Sequence, residues 1–213
     1  MPIRALLMDI DDTLFDFQTS SRNALSIAFR ALNLPFTPEM WAHYRELDAE
    51  FWQRFERGEI TKEALYVERF RVFFAEYGLE ADPAAFNTAY FCELGAQRNF
   101  MPHCEQALRQ LHAQGRKLAI VSNKPDEAVR ALRADFFAGT ISIAVGEKTG
   151  IRRKPAPDTL LAAMAQLGAD AASTVYVGDS EVDIATARAA GLPCISVLWG
   201  FRDRDMLEQA GAQ

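Results

Sequence analysis

A parallel α/β sheet interrupted by an all-helical insert is the fold this 213-residue sequence predicts. Three observations carry that reading. Near the start, the apolar run Ala5-Leu6-Leu7-Met8 empties into Asp9-Ile10-Asp11-Asp12, as a buried strand does on reaching a polar loop. From about Phe15 to Asn99 the apolar residues recur at helical spacing. After Asn99, short apolar runs alternate with helical patterns, the order that builds a parallel sheet covered on both faces.

Within the insert, Leu25, Ala28, Phe29 and Leu32 share one helical face, as do Trp41, Tyr44, Phe51 and Phe55, then Tyr66, Phe70, Phe73, Phe74 and Tyr77. Such aromatic rows, repeating at helical spacing, read as a packed interior. Pro35, Pro38, Gly58, Gly78 and Asp82-Pro83 punctuate the runs, the last pair setting Asp at an N-cap and Pro at the first helical position. Beyond the insert, a helix over Glu105 to Ala113 stops at Gly115 and leads to the strand Leu118 to Val121. Further strands are expected at Ile141 to Val145, Val175 to Val177 and Cys194 to Leu198. Helices are expected opening at Pro125-Asp126-Glu127, over Asp158 to Leu167, and from about Val182 to Ala190. The expected division is a core of 1–14 with 100–213 and an insert of 15–99.

A chain that is 49% apolar and 24% charged can bury a substantial core. Its formal charge of −6 argues against the broad basic surface that a nucleic-acid polymer requires. A small anionic substrate is compatible, since a metal ion and one or two lysines supply local positive charge. No run of about 18 apolar residues suggests a membrane span, and the start lacks a signal-peptide pattern, so the cytoplasm is the expected compartment. Cys92, Cys104 and Cys194 lack metal or disulfide spacing and read as reduced thiols; His43, His103 and His112 read as packing or surface residues. A monomer or a homodimer is expected.

Ligands of open α/β sheets bind at the carboxyl ends of the strands. Four strand ends here carry polar residues: Asp9-Ile10-Asp11-Asp12-Thr13-Leu14, Ser122-Asn123-Lys124, Gly146 leading to Arg153-Lys154-Pro155, and Gly178-Asp179-Ser180-Glu181-Val182-Asp183. The set suits phosphoryl transfer, where catalysis is positioning and charge neutralisation. Asp9 is the candidate nucleophile, forming an aspartyl phosphate, and Asp11 the candidate acid and base. Mg²⁺ is the expected cofactor, held by Asp9, the Asp11 backbone carbonyl and Asp179. Ser122 and Thr13 would donate hydrogen bonds to phosphoryl oxygens, and Lys154 would stabilise the nucleophile and the transferring group.

Asp9-x-Asp11-x-Thr13-Leu14, Ser122-Asn123, Lys154-Pro155 and Gly178-Asp179-x-x-x-Asp183 resemble, in order, the four motifs of the haloacid dehalogenase superfamily. The resemblance implies a Rossmann-like core, a helical cap that closes over the site and selects substrate, and Asn123 among the phosphate-binding residues. It sets Asp183 behind the direct metal ligands or on a metal-bound water. Dehalogenases of the superfamily lack the second aspartate of the first motif, so Asp11 points to a phosphatase or phosphomutase.

The core, through Ser122 to Asp126, Gly146-Glu147, Arg153 to Pro155, Val177 to Ser180 and Trp199-Gly200-Phe201-Arg202, is similar to bacterial phosphoglycolate phosphatases. The insert, through Trp52 to Thr61 and Arg69-Phe70, together with Asp9 to Phe15, is similar to pyrimidine 5′-nucleotidases. Lys124, Trp199 and Arg202 read equally as site or surface residues. The expected activity is hydrolysis of a small phosphorylated metabolite, phosphoglycolate first and nucleoside monophosphates second. A sugar phosphomutase and a non-catalytic binding module are the alternatives.

Overall fold

The computed structural model describes residues 2–212; Met1 and Gln213, the ends of the expected core, lie outside them. Residues up to Phe17 and from Phe100 on form one compact unit, and Gln18–Asn99 forms a second. Phe15 belongs with the first because its ring packs on Phe100, at 4.8 Å between centroids, and edge-on against Phe136 and Phe137.

The helical unit is built from α1 (Phe17–Ala31), α2 (Pro38–Glu56), α3 (Lys62–Tyr77) and α4 (Pro83–Gly95). Thr37, Thr61 and Asp82 cap α2, α3 and α4 by accepting a hydrogen bond from a first-turn N–H. Pro at the first position of α2 and α4 loses no bond, since that N–H has no helical partner. Phe29, Tyr44, Phe70, Phe73, Phe74, Phe86 and Tyr90 are buried together. Phe86 meets Phe29 at 4.8 Å and Phe70 at 4.9 Å, both edge-on. The aromatic rows are thus this unit's interior, each ring worth roughly 1.5–3 kcal/mol in burial. Two ends of the expected faces differ. Leu32 is 48% exposed because α1 stops at Ala31, and Tyr77, at the last turn of α3, is 38% exposed.

The other unit carries five strands, β1 (Ala5–Met8), β2 (Lys117–Pro125), β3 (Ile143–Glu147), β4 (Thr174–Gly178) and β5 (Cys194–Ser196), in the order β3-β2-β1-β4-β5, all pairs parallel. Its helices are α5 (Cys104–Ala113), α6 (Asp126–Phe136), α7 (Asp158–Leu167), α8 (Glu181–Ala189) and α9 (Arg204–Ala210). β1 lies between two strands and under two helical layers, which is why Ala5, Leu7 and Met8 are buried without polar alternation. One sheet face packs Met8, Leu118 and Ile120 with α5 and α6; the other packs Leu7, Val121 and Tyr176 with α7 and α8. β2 runs past Val121 to Pro125 through a register shift, so Ser122, Asn123 and Lys124 sit on an irregular strand end rather than in a loop. β3 starts at Ile143 instead of Ile141, and β5 ends at Ser196 instead of Leu198. Among the described residues, no helix is long and apolar enough to cross a membrane.

Candidate active site

The chain leaves β1 for β2 on one side and later returns to β4 on the other, so the carboxyl ends of β1 and β4 flank the point where strand order reverses. Asp9 follows β1, and its N–H bonds to the Val177 carbonyl at 2.9 Å, tying it to β4. Beyond it the backbone turns tightly: Leu14 N–H and Phe15 N–H both bond to the Ile10 carbonyl, at 3.0 and 2.8 Å. Asp12 takes a left-handed conformation in this turn, and its carboxylate accepts the Phe17 N–H at 3.0 Å. Such a conformation is uncommon for a residue with a side chain and least so for Asp and Asn. Of the first three acids, the third therefore shapes the loop and opens α1.

Lys154 is buried, with Nζ 2.8 Å from Asp9 Oδ1, 2.7 Å from Asp183 Oδ1 and 3.1 Å from the Tyr176 hydroxyl. Asn123 holds it from behind: its amide donates to the Lys154 carbonyl at 3.1 Å and accepts the Lys154 N–H at 2.8 Å. The Asn123 side chain is thereby occupied with the Lys154 main chain. Ser122 is buried, and its Oγ accepts the Lys124 N–H at 3.2 Å, leaving the hydroxyl proton for another partner. Among the described residues, Thr13 Oγ1 is buried without a hydrogen-bond partner. Asp11 is half-buried and pairs with Lys124 Nζ at 2.5 Å, while the same ammonium lies 4.9 Å from the Phe17 ring centre.

Asp183 uses both carboxylate oxygens within the fold. Oδ1 accepts Lys154 and the Tyr176 hydroxyl, the latter at 2.8 Å. Oδ2 accepts the Ser180 hydroxyl at 2.6 Å and the Asp179 and Ser180 N–H groups at 3.2 Å, closing a reciprocal cap on α8. A Cβ on Gly178 would fall 2.6 Å from Asp183 Oδ2, so glycine is the residue that lets β4 end against this carboxylate.

Asp9, Asp179 and Asp183 each present a carboxylate oxygen within 4.8 Å of the others. Burial raises the Asp183 pKa, but Lys154 and the hydrogen bonds from Lys154, Ser180 and Tyr176 outweigh it and hold the carboxyl below its ordinary value. Asp9 shares the same ammonium at 2.8 Å. Burial pushes it up to about 8, Lys154 opposing and Asp183 and Asp11 adding to the rise. Burial likewise lifts Asp179 to about 7, against a hydrogen bond from the Phe201 N–H. When all three are ionised, the buried carboxylates carry two negative charges more than the one ammonium neutralises. A hard divalent cation with oxygen ligands fits that donor set in charge and in chemistry.

A family model for haloacid dehalogenase-like hydrolases matches residues 3–191. The chain belongs to that family. YfnB of Bacillus subtilis, named as a HAD-hydrolase, is 31% identical over 195 residues, 89% of this chain and 81% of that protein. The phosphoglycolate phosphatase of Salmonella paratyphi A is 31% identical over 209 residues, 93% of this chain and 82% of its own. Among solved structures, magnesium-bound YfnB superposes with a TM-score of 0.84 at 27% identity, covering 93% of this chain and 88% of that one. A Lactobacillus delbrueckii protein named as a phosphoglycolate phosphatase gives 0.70 at 32% identity, covering 100% and 93%. The protein is accordingly a phosphatase of the haloacid dehalogenase family.

In this phosphatase, Asp9, Lys154, Asp179 and Asp183 converge, with Ser122 on the irregular end of β2 and Thr13 in the turn after β1. Asp11 stands at the edge with Lys124. Tyr176, hydrogen-bonded to Asp183, is absent from the sequence-derived set. It lies in the apolar strand Val175-Tyr176-Val177, where a buried Tyr ordinarily signals packing. The one available signal was its hydroxyl, which a buried strand has to satisfy.

Proposed function

We propose that this phosphatase is a magnesium-dependent phosphomonoesterase that hydrolyses a small cytosolic organic phosphate, phosphoglycolate or a close analogue, through a phosphorylated Asp9. The observation that carries the reading is the gathering of the buried carboxylates of Asp9, Asp179 and Asp183 around the single ammonium of Lys154, a donor set suited to a divalent cation. The names of relatives that span most of the chain support phosphoglycolate as the first substrate to try.

An Asp9 carboxylate oxygen attacks phosphorus; that O–P bond forms as the ester O–P bond breaks, and Asp11 gives its proton to the departing alkoxide. In the second step Asp11 takes a proton from water, the water oxygen bonds to phosphorus, and the Asp9 O–P bond breaks. Lys154 neutralises charge on Asp9 and on the phosphoryl oxygens, and the Ser122 and Thr13 hydroxyls donate to those oxygens. The unpartnered Thr13 Oγ1 supports that assignment, because a phosphoryl oxygen would satisfy it. Bound Mg²⁺ would supply the positive charge that lets an anionic carboxylate meet an anionic ester. Asp9, Asp179 and the Asp11 main-chain carbonyl would hold it, with Asp183 behind them, its oxygens taken by Lys154, Tyr176 and Ser180. Asn123 serves by fixing Lys154.

Phosphate release from phosphoglycolate, nucleoside monophosphates, sugar phosphates and p-nitrophenyl phosphate, with Mg²⁺ or chelator, tests the proposal. Magnesium-dependent turnover fastest on phosphoglycolate is expected. A preference for nucleoside monophosphates would replace the substrate and keep the chemistry. Turnover undiminished by chelator, or folded protein silent on every ester, would overturn the mechanism.

A further inference from the structure

Four consecutive residues after β5, Trp199 to Arg202, reach three points around the acidic centre, the Thr13 carbonyl, the Asp179 carboxylate and Glu181. Trp199 Nε1 donates to the Thr13 carbonyl at 3.2 Å, although the ring is 61% exposed. An exposed indole gains little from burial there, so the directed N–H bond is its specific contact. Gly200 lies flat against Asp179: a Cβ would fall 2.7 Å from Oδ2 and 2.8 Å from Cγ. The Phe201 N–H donates to the same Oδ2 at 3.0 Å. Arg202 grips Glu181, two residues beyond Asp179, with paired bonds of 2.6 and 2.7 Å.

We propose that residues 199–202 are a positioning strap with two separable ends, Gly200 to Arg202 aiming Asp179 at the divalent cation and Trp199 holding the Thr13 loop for the phosphoryl group. The inference rests on the magnesium-dependent reading above. Holding Oδ2 with a main-chain N–H settles the rotation of the Asp179 carboxylate before the cation arrives, so less ordering is left for the binding step. A methyl at position 200 would push the strap off Asp179 and lengthen that bond. On the other side, fixing the Thr13 carbonyl sets the height of the loop whose hydroxyl faces phosphate, with no direct reach to Asp179.

Three variants test the two ends: Gly200→Ala, Arg202→Gln, and Trp199→Phe, which keeps an aromatic ring and removes the donor. Mg²⁺ affinity is measured calorimetrically without substrate. The inhibition constant of inorganic phosphate and the KM of the best ester are measured at saturating Mg²⁺. Gly200→Ala is expected to weaken Mg²⁺ binding about tenfold or more and Arg202→Gln several-fold, with phosphate inhibition within about twofold of the parent. Trp199→Phe is expected to leave Mg²⁺ affinity within about twofold and to raise the phosphate constant and KM several-fold. Should Gly200→Ala fail to fold, Arg202→Gln, which adds no clash, carries the metal arm alone. Variants that bind Mg²⁺ and phosphate like a fully active parent overturn the strap alone, as do variants that weaken both ligands equally. A parent that neither binds Mg²⁺ nor hydrolyses any ester overturns the underlying reading and the strap with it.

Discussion

The Lys154 ammonium sits 2.7 Å from Asp183 Oδ1 and 2.8 Å from Asp9 Oδ1, so one buried cation serves two carboxylates. Because Asp183 also collects hydrogen bonds from Tyr176 and Ser180, its carboxyl stays below its ordinary pKa despite burial. Asp9, buried and with fewer hydrogen bonds, has its pKa raised to about 8, an environment that suits the nucleophilic role proposed for it.

Replacing Lys154 with Met strands two buried carboxylates. Breaking a buried ion pair from one side costs about 3–5 kcal/mol, and losing a donor to the transferring group costs about 10²–10³ in turnover. Urea denaturation and phosphate release measure the two effects. A variant as stable and as active as the parent would rule out the arrangement of charges described above.

Asp9→Asn should behave in the opposite way toward stability. It removes a carboxyl whose ionised form burial disfavours, so the metal-free variant should lose less stability than Lys154→Met and should gain most above about pH 8, where Asp9 is ionised. Turnover should vanish. Retention of burst phosphorylation or steady hydrolysis by purified Asp9→Asn would show that another group attacks phosphorus. Asp11→Asn, by contrast, should still accept phosphate from the ester and accumulate a slowly hydrolysed phosphoenzyme, detectable by intact-protein mass.

Tyr176→Phe removes one hydroxyl from an interior position and leaves Asp183 and Lys154 each short of a partner. The expected cost is about 1–3 kcal/mol of stability, with a fall in kcat and little change in KM, since the hydroxyl acts through Lys154 and not on substrate. A change confined to KM would argue that Tyr176 meets the ester directly.

Metal-free stability should depend on pH in a defined direction. Burial pushes Asp9 up to about 8 and Asp179 up to about 7, both above the 3.8 of a free aspartate. Between those values the folded chain binds more protons than the unfolded one, so their contribution is fully present below about pH 4 and lost as pH rises through 7 to 8. Magnesium binds the deprotonated carboxylates, so its stabilisation should grow over the same interval. Thermal melts at several pH values, with chelator or saturating Mg²⁺, check both trends; Asp9→Asn should flatten the chelator series. A Mg²⁺ effect larger at pH 6 than at pH 8 would contradict the assignment.

Much of this centre was legible because strand ends advertise themselves. Ala5 to Met8 and Val175 to Val177 are apolar runs that stop at acids, and a parallel sheet delivers such ends to one edge whatever the helices between them do. Helix termini were equally readable where one residue decides them, as Asp82 and Pro83 do for α4. Leu32 was not, since helical spacing continues past the point where α1 actually ends.

Periodicity, motif spacing and local capping chemistry act over a few residues, so the sequence by itself determined the α/β core, the helical insert, the family and the candidate residues at the strand ends. Tertiary structure alone decided that Asp9 and Asp183 share Lys154, that Asn123 spends its amide on the Lys154 main chain, that Tyr176 enters the network, and that Trp199 reaches Thr13 across 186 positions of chain. Those relationships depend on burial and on distances of about 3 Å between segments far apart in sequence. Charge sharing inside a low-dielectric interior follows from such distances and from no local pattern of residues.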